Sequence, residues 1–161
     1  MTQNFTVEIS DQQDGMVIDH EQIEQAITEV LLGESIATAE INVAIVDNAQ
    51  IHEANRQFLN HDYPTDVITF PWDEPDGFGG DIMVSAETAT DVSSEYGWSP
   101  MDELRLYVIH GVLHLAGYDD HTDGDRAEMR QRETKYLSAA GIDVSRRETD
   151  DTSASEKGGH A

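Results

Sequence analysis

Two histidines stand four positions apart in residues 108–121. Residues four apart on a helix share one face, with Cβ atoms about 5–6 Å apart. The imidazoles of His110 and His114 could therefore reach one ion at a Zn–N distance of about 2.0–2.1 Å. Gly117 would end such a helix and let the chain return, which could bring His121 to the same ion. The spacing predicts a metal site with three histidine ligands and a fourth position left for water.

The helix that carries these histidines is predicted to be buried. Apolar residues cover nearly its whole circumference over residues 104–116. Buried polar groups need partners, and two imidazoles one turn apart in such a helix indicate that something binds them. The chain has no cysteine, so a transition metal must rely on histidine and carboxylate ligands. We therefore predict a single Zn²⁺ ion as the cofactor, held by His110, His114 and His121.

The same spacing is close to the His-Glu-x-x-His pattern of zinc peptidases, in which the glutamate is the general base. Gly111 stands at the glutamate position, which weakens the peptidase hypothesis. The nearest acids, Asp119 and Asp120, are expected to shape the loop or to support a histidine. No catalytic residue beyond the metal ligands is therefore assigned, and the general base stays unknown.

The elements that must position this site follow from the hydrophobic pattern. Alternating or β-branched runs predict strands, and apolar residues at helical spacing behind capping residues predict helices. Four strands are predicted at residues 5–9, 41–46, 67–70 and 81–84, with 72–80 as a connector. Five helices are predicted, the fourth opened by Pro100 and the others capped by Asp19, Asn48, Ser85 and Thr122 or Asp123.

The predicted class is α+β, with a small, mostly mixed four-stranded sheet packed with about five helices around a central metal-bearing helix. Residues 1–144 are predicted to form a single metal-hydrolase domain. Residues 145–161 are polar and lack periodicity, which predicts a disordered tail.

The charge balance is strongly acidic. Asp and Glu number 33 against 9 Lys and Arg, which gives a net charge of −24. This composition fits either a surface adapted for solubility or an acidic surface for a basic partner, and it argues against non-specific nucleic-acid binding. The sequence has no secretory signal and no apolar run of membrane length, so we expect a cytoplasmic protein with no membrane partner.

The histidine stretch resembles the YbeY-type endoribonucleases of ribosomal RNA maturation. That family carries His-Gly-x-Leu-His-Leu-x-Gly-Tyr-Asp-His, and this chain has the pattern with one extra Asp before the last His. Residues 55–71 and 80–85 are similar to two further family segments, in the same order. The resemblance implies a zinc-dependent, single-strand-specific endoribonuclease that acts in ribosomal RNA maturation and ribosome quality control. It implies RNA and ribosomal or assembly proteins as partners, and not DNA.

Two departures from the family pattern bear on function. The family arginine that contacts RNA phosphate falls at Leu59. Arg56 or Arg105 could take its place, although structural salt bridges are the expected role of both. The interval between the second and third histidines is one residue longer than in the family. Asp120 could therefore occupy the third ligand position, but we prefer His121, with a one-residue bulge in the loop.

Three hypotheses for function remain at this point. The first is a zinc ribonuclease in which activated water attacks a phosphodiester. The second is a zinc peptidase or amidase, and the third is a non-enzymatic ribosome-assembly module with a structural metal. Thr65, Asp66 and Thr69 match the family pattern, and we expect them to fix the start of a strand by local hydrogen bonds. Because the chain is so acidic, we expect weak affinity for free RNA and targeting assisted by a partner.

Overall fold

The computed structural model describes residues 4–72 and 78–142 of the chain. Within these residues it has four strands and five helices. The strands are β1 (Asn4–Asp11), β2 (Thr38–Val46), β3 (Val67–Pro71) and β4 (Phe78–Ser85). The helices are α1 (His20–Gly33), α2 (Asn48–Leu59), α3 (Ala86–Tyr96), α4 (Pro100–Leu115) and α5 (Asp123–Ala139). The predicted α+β class, with a four-stranded sheet and five helices, is confirmed.

The sheet has the strand order β1-β2-β4-β3 and is mixed, as predicted. Strands β1 and β4 both pair with β2 in parallel, whereas β3 pairs with β4 antiparallel and forms one edge. Burial alternates along β2: Ile41, Val43 and Ile45 are buried, and Asn42 and Ala44 between them are partly exposed. One face of the sheet therefore packs on helices while the other is more open.

Helix α4 lies at the centre of the fold. It packs against α1, α3 and α5 and against strands β3 and β4. Nearly every residue from 103 to 113 is buried. Ser99 caps the helix by accepting a hydrogen bond from the amide of Asp102, and Pro100 occupies the first turn, where no backbone donor is needed. The helix that carries both histidines is thus buried, as its apolar circumference predicts.

The cap of α2 and the start of β4 differ from the prediction. Asp47, rather than Asn48, caps α2, because its carboxylate accepts from the amide of Gln50 at 2.8 Å and the Gln50 side chain accepts from the amide of Asp47. Strand β4 begins at Phe78, inside the predicted connector, because its first residues pair with β2.

The predicted tail, residues 145–161, lies outside the described residues. The extent of the single domain, residues 1–144, therefore stays a prediction. In the part of the chain that is described, no helix combines the length and the apolar character needed to cross a bilayer.

Candidate metal centre

The two histidines of α4 lie side by side, as their spacing predicts. Their ring centroids are 4.6 Å apart, and the ring planes are inclined by 76°. The His110 side chain is 9% exposed and the His114 side chain 14% exposed. Because α4 is held in the core on several sides, packing fixes the backbone from which both rings project.

Asp120 completes a cluster with these two histidines. Its Oδ2 lies 3.8 Å from His110 Nε2 and 3.6 Å from His114 Nε2. One ligand atom from each of the three side chains lies within 4.8 Å of the others. The separations exceed hydrogen-bond lengths and suit donors placed around a common ion. We call His110, His114 and Asp120 the metal cluster.

Two local structures bring the chain back over the histidines. Helix α4 ends in a Schellman motif, in which the amides of Gly117 and Tyr118 donate, each at 3.0 Å, to carbonyls of the last helical turns. Gly117 has φ +108°, a left-handed value that suits glycine. After the loop, Thr122 caps α5 by accepting from a backbone amide at 3.0 Å. The stop at Gly117 and the cap at Thr122 agree with the sequence prediction.

His121, the third predicted ligand, lies outside the metal cluster. Its side chain is 75% exposed, and its Nε2 lies 3.9 Å from Asp119 Oδ1. The Arg126 guanidinium donates to the backbone carbonyls of Asp120 and His121, at 3.3 and 3.4 Å, and so holds this part of the loop. With Asp120 turned inward, the next side chain points outward. The structure therefore groups the helical histidines with Asp120, and coordination by His121 stays a prediction.

A carboxylate on α5 orients the first histidine. Glu133 Oε2 lies 2.5 Å from His110 Nδ1, a charge-assisted hydrogen bond between two helices. Burial alone would lower the pKa of His110, but the charge and hydrogen bond of Glu133 raise it above the usual value. When Nδ1 donates to a carboxylate, Nε2 is the nitrogen that can bind a metal. Sequence reasoning missed Glu133, because 23 residues separate it from His110 and no local pattern joins them.

Gly111 lets α4 approach the sheet closely. A Cβ at this position would lie 2.9 Å from Ile82 Cγ2 and 3.3 Å from Thr69 Cγ2. Any side chain here would have to displace residues of two strands in a close-packed interior. The glutamate that a zinc peptidase carries at this position therefore has no room.

The residues considered as RNA contacts have structural partners. Arg56 pairs with Glu53 at 2.6 Å, and Arg105 pairs with Asp102 at 2.7 Å. The salt bridges expected for both arginines are present. Leu59, at the family arginine position, packs against a small apolar cluster between α2 and the sheet.

Asp66 stands at the start of β3 and also acts on the metal cluster. Its Oδ1 accepts from the Val67 amide at 2.8 Å and from the Thr65 hydroxyl at 3.3 Å. These local hydrogen bonds fix the start of the strand, as expected for Thr65 and Asp66, whereas the role of Thr69 stays a prediction. The charge of Asp66 also contributes to the raised pKa of His110.

Comparison with known proteins gives consistent matches along most of the chain. The family model described as Endoribonuclease YbeY matches residues 8–141. A Rhodopirellula baltica protein named Endoribonuclease YbeY is 42% identical over 126 residues, which cover 76% of this chain and 65% of that protein. A protein of the same name from Carboxydothermus hydrogenoformans is 37% identical over 141 residues, covering 84% of this chain and 98% of that protein.

A solved structure also matches. The solution structure of TM1509 from Thermotoga maritima has a TM-score of 0.62 and 32% sequence identity, covering 84% of this chain and 89% of that one. Fold and site define an α+β protein with a candidate metal centre on its central helix, in a class whose named relatives are endoribonucleases. The chain belongs to the YbeY endoribonuclease family.

Proposed function

We propose that this protein is a zinc-dependent, single-strand-specific endoribonuclease that acts in the cytoplasm on ribosomal RNA, in ribosome maturation and quality control. Membership of the YbeY endoribonuclease family supports hydrolysis of RNA. The metal cluster is the observation that supports the proposed dependence on a metal. The ribosomal substrate and the strand specificity rest on the resemblance of the sequence to the family.

The metal cluster fits a single divalent cation, for which zinc is the first choice. His114 Nε2 is buried, and among the described residues no hydrogen-bond partner reaches it. A buried imidazole nitrogen of this kind costs free energy unless something else binds it. Imidazole and carboxylate donors both suit Zn²⁺. A cation held there supplies Lewis-acid polarisation of the scissile phosphate and lowers the pKa of water.

His110 and His114 are the proposed histidine ligands. The third ligand is either Asp120 or His121. The Asp120 side chain is 13% exposed and lies beside both histidines, whereas the His121 side chain is 75% exposed. The Arg126 guanidinium donates to the backbone carbonyl of His121 at 3.4 Å, in the conformation that leaves the His121 side chain exposed. We therefore place Asp120 in the third position and keep His121 as the alternative.

Negative charge surrounds the two imidazoles. The carboxylates of Asp120 and Glu133 both lie close to His110, and the charge of Asp66 acts on the same ring. This concentration of acids favours a cation at the cluster and disfavours the approach of an RNA phosphate without one. Glu133 holds the His110 ring in position, and no residue is assigned as general base.

The two alternative functions have unequal support. The peptidase or amidase hypothesis loses support, because Gly111 has no space for the glutamate base. The assembly-module hypothesis is supported by one observation. A net charge of −24 attracts basic ribosomal proteins and repels free RNA. We therefore include basic ribosomal or assembly proteins as the partners that bring the enzyme to its RNA.

The nuclease proposal is tested by incubating the purified protein with single-stranded RNA, with its duplex, and with casein. We expect cleavage of the single strand only, and loss of cleavage after chelation and in His114→Ala. His52→Ala is the matched control, because His52 is a half-buried histidine outside the metal cluster that pairs with Asp62 at 2.9 Å. Casein turnover without RNA cleavage would instead support the peptidase, and association with ribosomes without any cleavage would support the assembly module.

The ends of the RNA products test how the bond is broken. Attack by water leaves a 5′-phosphate and a 3′-hydroxyl, which is the expected result. A 2′,3′-cyclic phosphate would assign the attack to the 2′-hydroxyl of the RNA itself and overturn the hydrolytic proposal.

A further inference from the structure

Glu34 lies outside the metal cluster and collects three side chains around one carboxylate. It follows α1 directly, and its side chain is only 11% exposed. The Tyr118 hydroxyl donates to Oε1 at 2.8 Å, and the Tyr136 hydroxyl donates to Oε2. Arg132 Nη1 lies 3.4 Å from Oε2, and its guanidinium sits 5.4 Å from the centroid of the Tyr118 ring. We call these four residues the Glu34 node.

One arm of the node holds the loop that follows α4. Tyr118 precedes Asp120 by two positions, so its hydrogen bond to Glu34 anchors the chain two residues before the carboxylate of the metal cluster. The Schellman motif ties the loop to α4 and Arg126 ties it to α5. The Tyr118 arm adds a third attachment, to the end of α1.

The other arm holds α5. Arg132 and Tyr136 flank Glu133, the residue that orients His110. Gly33 makes this contact close, because a Cβ at that position would overlap the Tyr136 ring. The loop that carries Asp120 and the helix that carries Glu133 are therefore both attached to Glu34, at the end of α1.

The ionisation of the node suits this role. Burial by itself would raise the pKa of Glu34, but the hydrogen bonds from Tyr136 and Tyr118 and the charge of Arg132 lower it below its usual value. Burial together with the same carboxylate raises the pKa of Tyr136. At neutral pH, Glu34 is therefore a carboxylate that accepts the hydrogen bonds of the node.

We propose that Glu34 is a positioning residue for metal binding, which fixes the Asp120 loop and the Glu133 segment of α5 against the buried helix α4. This inference rests on the proposed function, which puts a metal at the cluster. Without Glu34, the loop would have to become ordered when the metal binds. The free-energy cost of that ordering would reduce the affinity for the metal.

The inference is tested in the full chain by titrating the metal-free protein with Zn²⁺ against a competing chelator. Glu34→Ala removes the carboxylate at the centre of the node. Tyr118→Phe removes only the hydrogen bond from the loop to Glu34. Asn48→Ala is the matched control, because the Asn48 amide oxygen accepts from two hydroxyls, at 2.6 and 2.7 Å, in a node between α2 and α3. We expect zinc affinity to fall about 10-fold in Glu34→Ala, by a smaller factor in Tyr118→Phe, and to stay unchanged in the control.

Two further measurements separate positioning from a general loss of stability. The visible absorption of the Co²⁺-substituted protein should change in Glu34→Ala and Tyr118→Phe but not in Asn48→Ala, because it reports the geometry at the metal. Amide hydrogen exchange of residues 117–121 in the metal-free protein should become faster in the same two variants.

Unchanged zinc affinity and unchanged loop exchange in Tyr118→Phe and Glu34→Ala would overturn the inference. If Glu34→Ala does not fold, Tyr118→Phe decides the matter alone. If the unaltered protein binds no zinc, the proposed function fails, whereas loop exchange in the metal-free protein still decides whether Glu34 holds the loop.

Discussion

His110 Nδ1 and Glu133 Oε2 are joined by a 2.5 Å hydrogen bond between α4 and α5. The bond fixes the imidazole ring so that the opposite nitrogen, Nε2, lies 3.8 Å from Asp120 Oδ2. A side chain on a neighbouring helix thus determines how the His110 ring is oriented. Partners of this kind raise the basicity of a histidine ligand as well as orienting it.

Replacing Glu133 should weaken metal binding although it touches no ion. Glu133→Gln keeps the size of the side chain but removes the charge, and we expect zinc affinity to fall roughly 10- to 100-fold. A competition titration with a chelator measures the change. Glu128→Gln, an exposed glutamate on the same helix, is the control and should bind zinc like the unaltered protein. Equal affinity in the two variants would show that Glu133 has no such role.

Adding a single methyl group at Gly111 should destabilise the fold. The new Cβ would lie 2.9 Å from Ile82 Cγ2, and we expect Gly111→Ala to lower the free energy of unfolding by about 1–3 kcal/mol, as overpacking does. Urea unfolding measures this difference.

The control for that experiment is another helical glycine with free space around it. A Cβ at Gly124 would meet only Thr122 Oγ1, at 3.9 Å, so Gly124→Ala should be neutral or gain up to about 1 kcal/mol from helix propensity. If both variants have the same stability, the close approach of α4 to the sheet is not what excludes a side chain at Gly111.

The Glu34 node should make stability depend on pH in a definite direction. The folded-state pKa of Glu34 lies below its usual value of 4.5, chiefly because the hydrogen bonds from Tyr136 and Tyr118 outweigh the effect of burial. A depressed carboxyl pKa contributes stability that is fully present above the unfolded pKa and is lost as pH falls through the folded pKa. The deficit of Glu34→Gln relative to the unaltered protein should therefore be largest near neutral pH and shrink in acid.

This dependence is measured by urea unfolding of the metal-free proteins between about pH 3 and about pH 7, a range that spans the carboxyl titration. A deficit that stays constant over the range would mean that the carboxylate charge contributes nothing to the node.

Free RNA should bind weakly. The net charge of −24 opposes phosphate binding, and both candidate arginines pair with acids of their own helices. We expect the dissociation constant for a single-stranded RNA oligomer at physiological salt to lie above about 1 μM, in the range of non-specific binding. Fluorescence anisotropy measures it. Nanomolar binding of naked RNA would contradict the expected need for a partner.

The fold class and the two helical histidines could be predicted because their signals are local. Hydrophobic spacing marks α4 as buried, and capping residues such as Asp19, Ser85 and Thr122 mark where helices begin. The stop at Gly117 is equally local, since only the helix end and its left-handed glycine are involved.

The remaining parts of the site depend on contacts between distant segments. Nothing near Glu133 or Glu34 in the sequence indicates which histidine or tyrosine each will meet, because the packing of α5 and α1 on α4 decides it. The choice between Asp120 and His121 is similar. It depends on how the loop is held between the end of α4 and Arg126, rather than on residue type.

The measurement that tests the account most directly is the metal content of the purified protein and four variants, by elemental analysis after zinc loading and desalting. We expect a single zinc ion per chain in the unaltered protein, in His52→Ala and in His121→Ala. We expect loss of zinc in His110→Ala and in Asp120→Ala, with each variant shown to be folded by circular dichroism. Retention of zinc in His110→Ala, or a folded, unaltered protein that takes up no divalent cation, would contradict the assignment of the metal cluster.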